Sequence, residues 1–201
     1  MQHPDAGRPP RPGKSCASGQ IGARTDRADA LTPSRILGVV LAGGRSSRFG
    51  SDKATATLAG RSLADLSRAL LLPHVECAVI AGRDGEIPDM PGPDLGPLGG
   101  IAGALHHAAQ RGFDTVLTIG CDMPRLPDGL LLAIAGSAPR YCPDAPVLGH
   151  WPVALGPGLL AYIETAPNRS VRRWASAIHA APIAADGAIP NINTPRDLEA
   201  L

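Results

Sequence analysis

The middle of the chain alternates between short apolar runs and longer segments with apolar side chains at helical spacing. The runs of strand length lie at residues 36–41, 75–81 and 115–119. Such continuous runs are typical of strands buried on both faces of a parallel sheet. Residues 62–72 and 98–110 have the helical spacing, and Pro73 ends the first of these segments. The alternation predicts βαβ units, hence a single-domain α/β fold with a mostly parallel, doubly wound sheet and helices on both faces.

The pattern weakens toward the end of the chain. Residues 147–155 predict one or two irregular strands, because Gly149 and Pro152 interrupt the apolar positions. Helical spacing predicts further helices at residues 130–135, 158–165, 171–180 and 194–201.

Residues 1–34 differ from everything that follows. They contain five prolines, several basic side chains and no apolar cluster. A signal peptide requires a continuous apolar segment, and prolines and glycines break an amphipathic targeting helix. We therefore expect a disordered tail over residues 1–34 and one domain over residues 35–201. A mis-set start of the reading frame would produce the same pattern.

Charge and composition exclude several classes of protein. The 19 basic and 18 acidic side chains nearly cancel, which gives no electrostatic basis for non-specific binding to nucleic acid or to a membrane surface. No apolar run approaches the roughly 18 residues of a membrane-spanning helix. The four cysteines form no Cys-x-x-Cys pair, and Cys77 and Cys121 lie beside apolar runs, so we expect buried, reduced thiols. Reduced thiols and the lack of a signal peptide predict a cytoplasmic protein.

A glycine-rich loop follows the first predicted strand. Adjacent Gly43 and Gly44 can turn successive backbone N–H groups toward an anion without a Cβ in the way. Arg45, Arg48 and Lys53 place three cations in the same loop. Because ligands of such sheets bind at the carboxyl ends of the strands, this composition predicts a cradle for a polyphosphate.

Two common phosphate-binding loops do not fit this segment. A P-loop ends in Gly-Lys-Ser/Thr, whereas Gly50 is followed by Ser51 and Asp52. The dinucleotide fingerprint needs G-x-G-x-x-G, whereas five residues separate Gly44 from Gly50. The cradle must therefore be of another kind.

The loop Leu-Ala-Gly-Gly-Arg-Ser-Ser-Arg-Phe-Gly-Ser-Asp-Lys at residues 41–53 resembles the signature loop of molybdenum cofactor guanylyltransferases, within the nucleotidyltransferase superfamily. Three further segments resemble the same family in the same order: residues 96–101 (Gly-Pro-Leu-Gly-Gly-Ile), 121–124 (Cys-Asp-Met-Pro) and 191–198 (Asn-Ile-Asn-Thr-Pro-Arg-Asp-Leu). The resemblance spans residues 36–201. It implies a Rossmann-like nucleotidyltransferase fold and transfer of GMP from GTP to molybdenum-molybdopterin, with release of pyrophosphate.

An acidic residue follows the third predicted strand. Asp122 precedes Met-Pro, so its carboxylate is expected at the same edge of the sheet as the glycine loop. A bound triphosphate needs Mg²⁺, which proteins hold with one or two carboxylates alongside phosphate oxygens. An aspartate that merely caps the following helix is the alternative. The resemblance places the family's metal-binding aspartate at Asp122.

The resemblance also implies a second aspartate upstream of the Gly-Pro-Leu motif that contacts the nucleotide. Asp89 lies seven residues before Gly96 and Asp94 lies two before it; spacing favours Asp89, and a solvated loop acid is the alternative. Gly96, Pro97 and Leu98 open a helix whose start can face a ligand. An asparagine that the family often has after the second strand is absent here.

The remaining site residues follow from the resemblance and from local pattern. Backbone groups of Leu41, Ala42 and Gly43 are implied at the base of the nucleotide. Arg48 and Lys53 are assigned to the phosphates as catalytic residues together with Asp122. The amides of Asn191 and Asn193 face one way in an extended segment, which suits a pterin or its phosphate, although turn chemistry before Pro195 also explains them.

A basic helix start and a His-Trp-Pro segment are left without an assigned role. Arg169, Arg172 and Arg173 lie close together, which indicates either a solvated helix face or a docking surface for an anionic pterin phosphate or a partner. Trp151 is interpreted as core or edge packing. The paired His106 and His107 are expected on the surface.

Three functional hypotheses remain at this point. In guanylyl transfer, the acceptor phosphate is the nucleophile and is already ionised, so positioning and charge neutralisation suffice without a general base. A cytidylyltransferase or another nucleotidyltransferase of the same fold is the nearest alternative; Gly43 and Asn193 favour guanylyl transfer. A non-catalytic module that chaperones the cofactor is the third. A recipient molybdoenzyme or its chaperone is a further partner that the resemblance allows.

Overall fold

The computed structural model describes residues 34–42, 57–58, 60–82, 87–166, 168–192 and 197. Of the tail predicted at residues 1–34, only Ser34 falls among them, so that prediction stays untested. Of the helix predicted at residues 194–201, only Asp197 is described, and it is helical.

A six-stranded sheet lies at the centre of the fold. The strands of the chain are β1 (Ile36–Leu41), β2 (Thr57–Leu58), β3 (Arg61–Ser62), β4 (Cys77–Ala81), β5 (Thr115–Gly120), β6 (Arg140–Tyr141), β7 (Gly149–Pro152) and β8 (Ala181–Pro182). The order in the main sheet is β4-β1-β5-β7-β6-β8, and β2 pairs with β3 in a separate hairpin. Strand β1 is parallel to β4 and β5, whereas β7 is antiparallel to both of its neighbours. The sheet is mostly parallel, as predicted.

Helices cover both faces of this sheet. They are α1 (Leu63–Leu71), α2 (Pro97–Gln110), α3 (Leu130–Ile134), α4 (Gly156–Thr165) and α5 (Val171–Ala177), with 3₁₀ turns at Leu72–His74 and Val153–Leu155. Ser62 caps α1: its hydroxyl accepts a hydrogen bond from the Asp65 amide at 3.0 Å. Helices α2, α4 and α5 contribute to one core, and α1 and α3 contribute to the other.

The alternation of side chains along β1 separates the two cores. Leu37, Val39 and Leu41 pack toward α2, and Val40 packs toward α1 and α3. Because both faces of the strand are covered, its apolar residues run continuously, which is the pattern from which the strand was predicted. The predicted sheet with helices on both faces is therefore confirmed.

The strands of the second half were harder to predict. β6 and β8 have two residues each, too few to show any periodicity. β7 falls inside the predicted irregular segment and pairs antiparallel with β5, from Thr115 opposite Pro152 to Thr118 opposite Gly149.

Two cysteine predictions have different outcomes. Cys77 and Cys121 are both buried, as expected. Cys121 is a thiol, but Cys77 is disulfide-bonded, so the expectation of a reduced thiol there is wrong. Disulfide partners can lie far apart along the chain, and the apolar surroundings of a cysteine give no signal for one. No described helix has the length and hydropathy needed to cross a bilayer.

Candidate active site

The carboxyl ends of β1, β4 and β5 meet at one edge of the sheet. Two backbone hydrogen bonds join the residues at this edge: the Ala42 amide donates to the Ala81 carbonyl at 2.8 Å, and the Cys121 amide donates to the Leu41 carbonyl at 3.2 Å. In open α/β sheets, ligands bind outside the carboxyl ends of the strands. The predicted residues Leu41 and Ala42 lie at this edge, as the parallel arrangement requires.

Asp122 lies immediately beyond β5, with its side chain folded back over the strand end. A Cβ built on Gly120 would approach Asp122 Oδ1 to 2.5 Å, Met123 Cε to 3.3 Å and Val147 Cγ2 to 3.4 Å. The lack of a side chain at Gly120 therefore makes the space that the Asp122 carboxylate occupies. Asp122 is half-buried at this edge of the sheet.

The segment that carries the predicted asparagines is attached to the Asp122 loop. The Ile192 amide donates a hydrogen bond to the Asp122 carbonyl at 3.0 Å. Ile192 is buried while Asn191 is exposed. The chain thus anchors itself at Ile192 and leaves the neighbouring Asn191 at the surface close to Asp122. Asp122 and Ile192 are far apart in sequence, and this hydrogen bond brings them together.

A close contact between helix α2 and the preceding loop places Asp89. Gly99, Gly100 and Gly103 lie on the helix face that meets this loop: a Cβ on Gly99 would lie 3.3 Å from the Asp89 Cβ, and one on Gly103 would overlap the Pro88 carbonyl oxygen. A Cβ on Gly100 would lie 3.0 Å from Leu41 Cδ2. These glycines therefore let the loop and β1 approach α2 closely.

The environment of Asp89 is unusual for a carboxylate. Its Oδ1 is buried and has no hydrogen-bond partner among the described residues. Burial raises the pKa of Asp89 above its ordinary value, and the negative charge of Asp94 adds to this. A buried acceptor without a donor costs free energy, so this oxygen is a candidate for a donor that the described residues do not supply. Asp94 is exposed; the geometry favours Asp89 over Asp94 as the ligand-contacting acid.

The Gly-Pro-Leu motif forms the start of α2. Gly96 is the N-cap residue with a φ of 68°, and no side chain caps the helix. Gly96 and Pro97 are exposed, so the uncapped helix start is open to a ligand. Leu98 is fully buried, backbone included, so it has no exposed atom with which to make the predicted contact with a substrate.

Several predicted site residues lie outside the described part of the chain. They are Gly43, Gly44, Arg48, Lys53 and Asn193. Their assignments stay predictions from the sequence.

Two buried hydroxyl groups near Asp122 were missed by the sequence analysis. Ser67 on α1 and Thr118 on β5 are both fully buried. The Ser67 hydroxyl donates to the Met123 carbonyl at 3.3 Å, and the Thr118 hydroxyl donates to the Val147 carbonyl at 2.7 Å. A polar residue inside an otherwise apolar stripe is the signal that would have singled them out.

The unassigned His150 and Trp151 prove to be core residues, as interpreted for Trp151. Trp151 donates from Nε1 to the Thr118 hydroxyl at 3.0 Å and stacks with Trp174 at a centroid distance of 4.8 Å. The His150 ring is hydrogen-bonded to the Gly136 carbonyl at 2.9 Å and to Thr115 Oγ1 at 2.8 Å. Burial lowers the pKa of His150, so the ring is neutral near pH 7.

The basic cluster at the start of α5 is exposed. Arg172 donates to the Pro143 carbonyl, and Arg169 donates to the Ile163 carbonyl at 3.4 Å. Arg172 thus holds the loop at Pro143 and Arg169 holds the last turn of α4, which accounts for both guanidinium groups without a ligand. Among the expected surface histidines, His106 is exposed and contacts Gln110.

The described residues of the site offer carboxylate, amide and backbone groups at one sheet edge. Within the described ranges, no three His, Cys, Asp or Glu side chains form a preformed metal cage. A single carboxylate at such an edge is the ligand set that Mg²⁺ uses when substrate phosphates complete its coordination. The Asp122 carboxylate, whose Oδ1 lies in the space beside Gly120, is therefore a suitable ligand for Mg²⁺.

The sequence matches the family model described as the MobA-like NTP transferase domain over residues 38–182. The chain is 34% identical over 180 residues to the molybdenum cofactor guanylyltransferase of Rhodobacter capsulatus, which covers 82% of this chain and 93% of that protein. It is 35% identical over 189 residues to the enzyme of the same name from Rhizobium leguminosarum bv. trifolii, covering 82% of this chain and 90% of the relative.

Solved structures share the fold. The structure of molybdopterin-guanine dinucleotide biosynthesis protein A from Archaeoglobus fulgidus matches with a TM-score of 0.64 at 22% identity, over 82% of this chain and 95% of that one. The 2-C-methyl-D-erythritol 4-phosphate cytidylyltransferase of Thermus thermophilus matches with a TM-score of 0.55 at 14% identity, over 81% and 95%. The fold alone therefore includes both guanylyl- and cytidylyltransferases, and the choice between them depends on the sequence.

Proposed function

We propose that this chain, which belongs to the molybdenum cofactor guanylyltransferases within the MobA-like NTP transferase domain family, transfers GMP from GTP to the phosphate of molybdenum-molybdopterin. The products are molybdopterin guanine dinucleotide and pyrophosphate. The observation that carries the proposal is the position of Asp122: its carboxylate lies at the carboxyl edge of β5, beside Gly120, with the Asn191 segment bonded to its backbone.

The nucleotide half of the proposed site lies between β1 and the start of α2. Backbone groups of Leu41 and Ala42 would hold the base end, and Gly43 and Gly44 would follow them along the phosphates. The buried, unpartnered Oδ1 of Asp89 supports a contact with nucleotide donors, because GTP carries N–H and O–H groups that can satisfy it. The open helix start at Gly96 and Pro97 completes this half.

The acceptor half would lie on the other side of Asp122. The hydrogen bond from Ile192 to Asp122 keeps Asn191 near this carboxylate, and Asn193 would lie beside it in sequence. Side-chain amides carry both donors and acceptors, which suits a pterin with alternating polar groups. Asp122 would thus separate and align the two substrates.

In the proposed reaction the protein does not need to form a covalent bond with either substrate. The acceptor phosphate is ionised at neutral pH and attacks the α-phosphorus of GTP in line, and pyrophosphate leaves with the electrons of the broken P–O bond. We assign Arg48 and Lys53 to neutralising the phosphate oxygens. Asp122 would hold Mg²⁺, which when bound stabilises the charge on the phosphates and on the leaving group. Asp122 would also set the position of the metal's positive charge relative to Asn191.

The test is a turnover assay with GTP, Mg²⁺ and molybdenum-molybdopterin that measures pyrophosphate release. We expect release only when all three are present, and GTP to raise the Tm of the protein more than CTP or ATP does. Preference for CTP would replace guanylyl by cytidylyl transfer. Binding of GTP without pyrophosphate release would favour a non-catalytic module that carries the cofactor to a recipient enzyme or its chaperone.

A further inference from the structure

Two buried hydroxyl groups reach the Asp122 region from opposite faces of the sheet. Ser67, Thr118 and His150 are the buried polar side chains in the described part of the chain. His150 serves the opposite end of β5. Ser67 and Thr118 donate to the carbonyls of Met123 and Val147. The side chains of Met123 and Val147 lie, together with Asp122 Oδ1, around the space that a Cβ on Gly120 would enter.

The Thr118 hydroxyl extends the connection between β5 and β7 beyond their backbone pairing. That pairing ends where Thr118 faces Gly149. Val147 lies two residues further toward the site, and the Thr118 hydroxyl reaches its carbonyl at 2.7 Å. Trp151 donates to the same hydroxyl oxygen at 3.0 Å. The Thr118 hydroxyl also lies 3.2 Å from the Gly149 carbonyl, so its proton is shared between two carbonyls, of which that of Val147 is the nearer, while its oxygen accepts from Trp151.

The Ser67 hydroxyl has the equivalent place on the other face. Ser67 lies in the buried stripe of α1 between Leu63 and Leu71. An apolar side chain at this position would pack without needing a hydrogen-bond partner. A helical serine often bonds the carbonyl four residues back in its own helix. Here it reaches instead across to Met123, 56 positions along the chain, at 3.3 Å.

We propose that Ser67 and Thr118 are positioning residues for the reaction: by holding Met123 and Val147, they fix the two walls between which the Asp122 carboxylate is aimed at its metal and substrate. The inference rests on the proposed role of Asp122. Burying a hydroxyl costs free energy that an alkyl group avoids. At both positions the hydroxyl is used on the backbone beside Asp122, and small displacements of a reacting group are costly in catalysis.

The test compares Ser67→Ala and Thr118→Val with two matched controls. Ser62→Ala removes a hydroxyl that bonds backbone at the start of the same helix, and Thr115→Val removes one that bonds a buried ring at the far end of the same strand. Thr118→Ser, which keeps the hydroxyl, is the rescue variant. For each full-length protein the readouts are Tm, kcat and KM for GTP, and the affinity for Mn²⁺ in the presence of GTP, from the free ion seen by electron paramagnetic resonance.

We expect Ser67→Ala and Thr118→Val each to weaken Mn²⁺ binding and to lower kcat by about tenfold, with KM for GTP nearly unchanged. The control variants lower Tm alone, and Thr118→Ser restores Mn²⁺ affinity. In the protein without ligands, amide exchange over residues 143–149 becomes faster in Thr118→Val. The inference is overturned if the hydroxyl variants and their controls change Mn²⁺ affinity alike; if Thr118→Val does not fold, Ser67→Ala against Ser62→Ala decides.

A further variant separates this inference from the proposed function. Asp122→Asn should lose most of the Mn²⁺ affinity if Asp122 holds the metal. Unchanged Mn²⁺ affinity in Asp122→Asn would refute the metal role of Asp122 itself. Loss in Asp122→Asn without any effect of Ser67→Ala or Thr118→Val would leave the function standing and refute the positioning roles.

Discussion

The polar groups at the two edges of the sheet differ in how far they are hydrogen-bonded to other described residues. At the amino edge, Arg35 is saturated by the chain: Nε and Nη2 each donate to Glu76 at 2.9 Å, and Nη1 donates to the carbonyls of Arg111 and Gly112. Its guanidinium also lies 4.7 Å from the centre of the Phe113 ring. At the carboxyl edge, the buried Oδ1 of Asp89 has no donor within the described residues. Polar groups at the first edge hold the fold together, whereas those at the second are available to a ligand.

The largest expected effect comes from removing the carboxylate at the open edge. Asp122→Ala should lower kcat by about 100-fold or more, because charge stabilisation at the transferred phosphate is lost. Its Tm should stay close to that of the natural chain, since Asp122 is half-buried at the ligand-binding edge. Steady-state kinetics and thermal unfolding check both parts. A near-normal kcat would remove the distinction between the edges.

Lys53→Ala tests a phosphate-binding residue that was assigned from the sequence alone. This substitution should also lower kcat by about 100-fold. Lys53 lies outside the described residues, so a folded but inactive variant would support the phosphate-binding assignment independently of Asp122.

Replacing Asp89 by asparagine should affect ligand binding and stability in opposite directions. Losing an ionised acceptor for nucleotide donors should raise KM for GTP about tenfold. Without ligand, Asp89→Asn should have a higher Tm than the natural chain at neutral pH, because the folded state no longer buries a charge.

The sign of the pH dependence at Asp89 follows from its raised pKa. The folded state holds the proton more tightly than the unfolded chain does, so the natural protein loses stability as pH rises from about 3.9, the ordinary aspartate value, through the raised pKa. The two Tm curves should therefore converge at low pH. Parallel curves across this range would argue that Asp89 finds a partner in solution.

Breaking the saturated edge should have a smaller effect, and on stability alone. Arg35→Met should cost about 1 kcal/mol, because the Glu76 ion pair is about half-exposed while the contact with Phe113 and the carbonyl hydrogen bonds are also lost. In a chain of this length that lowers Tm by about 2–4 °C. kcat and KM should be unchanged at 25 °C, and a drop in kcat would show that the two edges are coupled.

The smallest expected effect concerns His150 near the amino end of β5. Its pKa is lowered by burial, so the folded state resists the proton that the unfolded chain accepts below about pH 6.5. Tm should therefore fall as pH decreases below that value, with the positive charge of Arg140 opposing protonation further. His150→Gln should flatten this part of the Tm curve, and an unchanged slope would assign it to other groups.

Strands β1, β4 and β5 were predictable because each is buried on both faces. β1 coincides with the predicted run at residues 36–41, and α2 begins one residue before the predicted helix. The later strands were not predictable to the same degree, because β6 and β8 are two-residue pairings that depend on tertiary contacts. The residues next to Cys77 in the sequence gave no indication that this cysteine is disulfide-bonded.

The site was predictable where chemistry follows a strand end. Asp122 was singled out because it follows a strand, whereas Asp89 was chosen on spacing for an acid that the family resemblance implied; Asp122 lies immediately beyond β5, and Asp89 lies against Gly99 of α2. The positioning hydroxyls were not, because Ser67 and Thr118 look like tolerated polar residues until their partners, Met123 and Val147, are seen to flank Asp122. Nothing in the local sequence of α1 reports a contact made 56 residues away.

The stacked pair of Trp151 and Trp174 has a spectroscopic consequence. These are the two tryptophans of the chain, both buried, with ring planes at 45°. Tryptophan emission therefore arises at a single place, where β7 meets α5. The proposed nucleotide half contains no tryptophan. A change in the tryptophan spectrum on adding GTP would therefore mean that binding affects the indole of Trp151 through its hydrogen bond to Thr118.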